Sequence, residues 1–286
     1  MAERFTPILP PEAVGKYLNQ PGVAIIDARG GADARNRYEA GHLEGAIFMD
    51  LESQLSDKGS DAGNGGRHPL PHPVSFGKLL GAAGINPHTH VLVYDDKAGA
   101  NAAARFWWML RAAGHLSVQV IDGGLNALSA AGLPIAKGAT AQLTPGNSYP
   151  VEKWRLALAD IELVEAARSS PDYLVIDVRE HYRYKGESEP IDLTAGHIPG
   201  AVNAPYLDNL EANGRFRPPE VLAGKYKDIT GTRDLSKVIV HCGSGVTACH
   251  SLLAMEVAGM TGASLYVGSW SEWSRRSKPI ASGENP

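Results

Sequence analysis

The chain has 286 residues, 43% of them hydrophobic and 20% charged, with a formal net charge of −4. That suits about two globular domains at roughly 150 residues each, and the lack of any run of Lys and Arg argues against nucleic acid or an anionic membrane as partner. Only two cysteines occur, Cys242 and Cys249, with no Cys-x-x-Cys; this disfavours a zinc knuckle or a dithiol redox centre and fits a reducing compartment.

The opening MAERFTPILPPEAV lacks a basic segment leading into an apolar core, so no secretory signal is expected. No apolar stretch approaches the ~20 residues of a membrane-spanning helix, which makes a soluble cytoplasmic protein the expectation. The segment PPEAVGKYL reads as helical, and GVAIIDARGG contains a short Val/Ile run of the kind found in fully buried parallel strands. AGHLEGAIFMDL follows, then a long loop, SDKGSDAGNGGRHPLPHP (56–73), whose length and Gly/Asp/Pro content mark it as functional or disordered. HVLVYDDKAG is a second strand, AAARFWWMLRAAG an amphipathic helix ending in Gly, and QVIDGGLNAL a third strand and turn. Trp107 and Trp108 fall on the helix pattern and are expected in the core or at a domain interface.

Residues 136–152 have no apolar period and read as a linker. Beyond them the same series returns: ADIELVEAA, YLVIDVREH, AGHIPGAVNAPYL, KVIVHCGSG, TACHSLLAMEVAG and LYVGSWSEW. Asp27 and Asp177 lie 150 positions apart, each followed two residues later by an arginine, Arg29 or Arg179. Order and spacing together indicate a duplicated domain, 1–135 and 153–286. Strands alternating with helices predict an α/β fold, each copy a central, mostly parallel sheet flanked by helices.

The copies differ at one strand end, where VLVYD aligned with VIVHC sets Asp95 opposite Cys242. A catalytic copy and a degenerate copy is the simplest reading. Gly243, Gly245 and Ala248 match a dinucleotide fingerprint, but the next strand ends in no acidic residue. A nucleophile elbow fails on spacing, and a Walker loop lacks its Gly-Lys-Ser/Thr. A cysteine phosphatase needs arginine where Ala248 stands, and without it nothing forks onto a phosphoryl group. What remains is a loop of small residues, Gly243, Ser244, Gly245, Val246 and Thr247, between a strand and a helix. Its N–H groups converge on one centre and, with the helix N-terminus, stabilise an anion there. A thiolate so placed is set up for nucleophilic chemistry. The bland alternative is a small buried thiol ending a strand.

HCGSGVTA, with GHIPGA before it and GSWSEW after it, resembles the active half of the two-domain rhodanese-type sulfurtransferases. AGHLEGAIFMDLE, GRHPLP, VLVYDD, RFWWMLRAAGH and IDGGL are similar to the inactive half of that family, so the resemblance spans nearly the whole chain. The loop Cys-Gly-Ser-Gly-Val-Thr is similar to that of the 3-mercaptopyruvate sulfurtransferases. The resemblance implies tandem rhodanese-like domains, a persulfide formed on Cys242, and stabilisation of it by the N–H groups of residues 243–247. It implies a small anionic sulfur donor, 3-mercaptopyruvate ahead of thiosulfate, and a thiol, cyanide or thioredoxin-like acceptor. No metal or organic cofactor is required.

By the same resemblance Arg183 binds the donor's carboxylate or sulfonate. His68 polarises Ser244 or the donor carbonyl, oriented by Asp50 or Glu52, and Arg67 adds positive charge nearby. A second arginine of the mercaptopyruvate enzymes is missing, its place in Glu-Pro-x-Asp being taken by Ile191. The Asp–Arg pairs and the Gly–His pairs at His42 and His197 recur in both copies, so they read as fold rather than chemistry. Cys249 and His241 are expected to pack. A non-catalytic anion-binding module is the alternative from another class.

Overall fold

The fold is described from a computed structural model, which covers residues 5–59, 61–139, 143 and 146–286. The chain divides into two compact units: Met1–Asp57 with Leu70–Arg155 and Ala212–Arg215, and Lys58–Pro69 with Leu156–Glu211 and Phe216–Pro286. Residues 140–142, 144 and 145 of the expected linker lie outside the described residues.

The first unit contains strands β1 (Ile8–Leu9), β2 (Val23–Arg29), β3 (His42–Leu43), β4 (Ile47–Asp50), β5 (His90–Tyr94), β6 (Val118–Ile121) and β7 (Ile135–Ala136). Its helices are α1 (Ala34–Ala40), α2 (Pro73–Ala82), α3 (Ala102–Ala113) and α4 (Gly124–Ala130). The second unit contains β8 (Leu158–Ala159), β9 (Leu174–Asp177), β10 (Val202–Asn203), β11 (Val238–His241) and β12 (Ser264–Tyr266), with α5 (Ile161–Ala167), α6 (His181–Tyr184), α7 (Pro219–Thr230), α8 (Thr247–Val257) and α9 (Ser269–Trp273).

Each unit is built on a five-stranded sheet, in the order β1-β6-β5-β2-β4 in the first and β8-β12-β11-β9-β10 in the second. All pairings within the two sheets are parallel. The order is the same, strand for strand, and so is the register: Asp27 pairs with Tyr94 as Asp177 pairs with His241. The duplicated sequence therefore folds as a duplicated α/β unit. The apolar runs explain why. Every residue of β5 and of β11 is buried, as parallel strands covered on both faces must be.

Helix signals act where the sequence puts them. Asp160 caps α5 by accepting the Leu163 N–H at 2.8 Å, and Pro73 occupies the first turn of α2. Trp107 and Trp108 are buried on α3, in the core. The segment PPEAVGKY departs from the expected helix by forming a 3-10 helix, Pro11–Tyr17. It starts on a proline pair and carries Gly15 mid-segment, so little favours continuing a regular α turn. Among the described residues no helix is long and apolar enough to cross a membrane.

Both units carry the same brace under the strand ends. Arg29 donates to Asp27 (2.7 Å) and to the Gly41 carbonyl (2.7 Å), and Arg179 donates to Asp177 (2.6 Å) and to the Gly196 carbonyl (2.7 Å). His42 stacks on Tyr38 at 4.0 Å and His197 on Tyr184 at 3.7 Å, each tyrosine donating to a carbonyl, Ala46 or Ala201, at 2.7 Å. A buried carboxylate needs such partners to remain charged.

Candidate functional site

Cys242 directly follows β11, the central strand of the second sheet, and is only 2% exposed. Its carbonyl and that of Gly243 accept the N–H groups of Trp270 and Ser271 in the first turn of α9, both at 2.9 Å. Its own N–H donates to Ser269 Oγ at 3.2 Å, and that hydroxyl donates to the Tyr266 carbonyl at 2.8 Å. With its first two carbonyls taken up by α9, the chain crosses to α8. Among the described residues the N–H groups of Gly243, Ser244, Val246 and Thr247 have no protein acceptor. Gly245 adopts φ +71°, and a methyl built on it would lie 2.6 Å from the Val267 carbonyl oxygen, so only glycine fits this turn.

The first unit shows what this arrangement holds when it is filled. Asp95, fully buried at the end of β5, turns its carboxylate into the loop that follows. Oδ1 accepts the N–H groups of Lys97 (2.8 Å) and Gly99 (2.7 Å), and Oδ2 those of Asn101 (3.0 Å) and Ala103 (3.1 Å). Four backbone donors thus converge on one carboxylate; burial pushes it above its ordinary range, and the four N–H groups pull it back in part. At the matching position in the second unit stands a thiol, followed by a loop whose N–H groups at 243, 244, 246 and 247 have no protein acceptor among the described residues.

His68 approaches the loop, its Nδ1 2.8 Å from Ser244 Oγ, and is buried. It belongs to the segment Lys58–Pro69, which groups with the second unit. That segment is fastened to α9 and its continuation: Gly65 N–H donates to Glu272 Oε1 (2.9 Å) and Arg67 N–H to Ser271 Oγ (3.0 Å). Arg276 donates to the Gly63 carbonyl (2.6 Å) and to Asn64 Oδ1 (2.8 Å). Asp50 and Glu52, named above as orienters of His68, accept the N–H groups of Ser53 and Gly31 within the first unit.

Arg183, on α6, donates to Glu189 Oε1 (2.7 Å) and to Glu180 Oε2 (3.3 Å). Burial works to raise the Glu189 carboxyl, but Arg183 and the backbone N–H groups of Asp192 and Ile191 outweigh it and hold it below its ordinary range. Tyr206 completes the surroundings: its phenol is pushed up by burial first, then by negative charge at Glu180 and Cys242. The expected residues Cys242, 243–247, His68, Arg183 and Arg67 are thereby brought together. Cys249 is buried on α8 with Sγ 3.3 Å from the Gly245 carbonyl. Sequence reasoning missed Asp192, Glu189, Tyr206 and the α9 residues Ser269, Ser271 and Glu272; the one available signal was the GSWSEW run, read only as a marker of resemblance.

Comparison with known proteins places these features. A family profile described as a rhodanese-like domain matches residues 10–131 and 160–276. The chain is 38% identical over 283 residues to a probable 3-mercaptopyruvate sulfurtransferase of Pseudomonas aeruginosa, covering 97% of this chain and 98% of that one. It is 36% identical over 272 residues to the thiosulfate sulfurtransferase of Mus musculus, covering 91% and 87%. The solved structure of a 3-mercaptopyruvate sulfurtransferase from Leishmania major superposes with a TM-score of 0.80 at 30% identity, over 93% of this chain and 74% of that one.

Proposed function

The chain belongs to the rhodanese-like family, and from that premise we propose that it is a sulfurtransferase, taking sulfane sulfur from 3-mercaptopyruvate onto Cys242 and passing it to a thiol or cyanide. The observation that carries this reading is the contrast between the two strand ends. In one copy Asp95 accepts four N–H groups of the loop after its strand; in the other Cys242 stands at the matching position and four N–H groups of the loop after it have no protein acceptor among the described residues. On this reading the copy spanning 1–135 is the degenerate partner and 153–286 the catalytic one.

The chemistry follows from the groups present. The Cys242 thiolate attacks the donor sulfur; an S–S bond forms, the C–S bond breaks, and the electron pair leaves on the pyruvate fragment as its enolate. The donor thiol's proton ends on that fragment's carbon, giving pyruvate and a Cys242 persulfide. The N–H groups of residues 243–247 hold the persulfide anion, as backbone donors hold an oxyanion elsewhere. Ser244, hydrogen-bonded to His68, is placed to donate to the donor carbonyl while charge builds on it, and Arg183 supplies positive field for the donor's anionic end. A thiol, cyanide or the exposed thiol of a thioredoxin-like protein then attacks the outer sulfur and restores the thiolate. Both cysteines are free, in keeping with action in a reducing cytoplasm.

Thiosulfate is the second donor to weigh, because a relative of similar identity is named for it. Ser244–His68 favours mercaptopyruvate, since only that donor has a carbonyl for the hydroxyl to polarise. Pyruvate release without acceptor tests the choice. One equivalent per chain in a burst from 3-mercaptopyruvate, absent in Cys242→Ser, is expected; no burst, with sulfite released from thiosulfate instead, would reassign the donor.

A further inference from the structure

Two guanidinium groups crowd the residue that follows the nucleophile. A methyl built on Gly243 would lie 3.1 Å from Arg67 Nη2, 3.4 Å from Arg183 Nη2 and 3.7 Å from Asp192 Oδ2. The two cations are held differently. Arg183 has Nε and Nη2 on Glu189 and Nη1 on Glu180, so each of its nitrogens already faces a carboxylate, and its side chain is 7% exposed. Arg67 donates to one carboxylate only, Nε to Asp192 Oδ1 at 3.0 Å and Nη2 to Oδ2 at 3.4 Å. Among the described residues its Nη1 has no acceptor, and 26% of its side chain is exposed.

Asp192 is the fixed point of this arrangement. Its side chain is fully buried, and its oxygens also meet Arg275 Nη1 at 3.1 Å and Arg183 Nη2 at 3.7 Å. One carboxylate is shared among three guanidinium groups; Arg67 and Arg275 both keep open nitrogens and part of their surface exposed, 26% and 18%, but it is Arg67 whose guanidinium lies against Gly243. A small anion entering beside Gly243 completes its coordination at little desolvation cost.

We propose that Arg67 binds the anionic end of the sulfur donor, a 2-oxo carboxylate or a small sulfur oxyanion, and that Asp192 is the positioning residue that fixes its guanidinium beside Gly243. This rests on the sulfurtransferase reading for the identity of the donor, but the site itself is an anion site whatever chemistry follows. Arg183, saturated by Glu189 and Glu180, forms the wall and contributes charge.

The test uses pyruvate, a non-reacting carboxylate, titrated by calorimetry into the full chain and into Arg67→Met, Arg67→Lys and Asp192→Asn. Arg67 lies partly at the surface, so its variants are expected to keep the wild-type melting temperature. Pyruvate affinity is expected to fall about 10- to 100-fold in Arg67→Met, with partial recovery in Arg67→Lys and a smaller loss in Asp192→Asn. In turnover with 3-mercaptopyruvate, KM rises by a similar factor in Arg67→Met while kcat stays within about threefold. Wild-type protein that binds no pyruvate, or Arg67→Met that binds it as wild type does, overturns the inference. Arg67-dependent pyruvate binding in a protein that takes up no sulfur would leave the anion site standing and remove the sulfurtransferase reading.

Discussion

His241 and Asp177 face each other one residue below the cysteine, paired in register with His241 Nε2 3.8 Å from Asp177 Oδ2, both fully buried. Burial pushes the His241 imidazole below its ordinary value of 6.5, outweighing the pull of Asp177. Burial would raise the Asp177 carboxyl, but Arg179 and His241 outweigh it and hold it below its ordinary 3.8. Both shifts have the same sign for stability. The unfolded chain binds protons that the native state does not, so stability is intact above about pH 6.5 and falls as pH drops toward the depressed folded value of His241. A second loss follows below about pH 3.8, as Asp177 protonates in the unfolded chain. Urea unfolding between pH 8 and pH 5 is expected to show a fall of up to about 1.4 kcal/mol per pH unit for this histidine, and His241→Gln to flatten that part of the curve. Identical slopes in the two proteins would remove His241 from the account.

The strand–loop–helix element occurs twice with opposite contents. Around Asp95 the four N–H donors and the carboxylate satisfy one another, and the loop of the first unit is locked by its own side chain. Asp95→Ala strands those donors in a buried site and is expected to cost about 2–5 kcal/mol, read as a lower melting temperature; Asp95→Asn, which keeps one acceptor, falls between. A wild-type melting temperature for Asp95→Ala would mean that the loop does not depend on the anion. The alignment of VLVYD with VIVHC shows from sequence alone that the two positions correspond, because strand ends with the same apolar run keep the same register. It does not show that the aspartate accepts four backbone bonds. That depends on how residues 96–101 turn, and such turns leave no periodic pattern to read.

Across the whole molecule, what the sequence reveals is what repeats or lies close along the chain. Both α/β sheets, their parallel order and the place of Cys242 follow from short apolar runs recurring in one order, and the paired Asp–Arg braces can be read as fold because both copies carry them. The 3-10 turn at Pro11–Tyr17 escaped because its apolar spacing imitates a helix while its proline and glycine oppose one. The site's polar setting escaped for another reason: Arg67 meets Asp192 across 125 positions and Gly65 meets Glu272 across 207, so only the fold brings them together. Asp192 looks like an ordinary surface acid in ESEPID until three guanidinium groups are seen around it.

The most direct test of the central claim is the intact mass of the reduced full chain after brief exposure to 3-mercaptopyruvate. A gain of one sulfur atom, released by added thiol, mapped to Cys242 and absent in Cys242→Ser, is the expected result. No gain from this donor or from thiosulfate, or a sulfur found on Cys249 instead, would contradict the account and leave the loop after β11 as an anion-binding element without transfer chemistry.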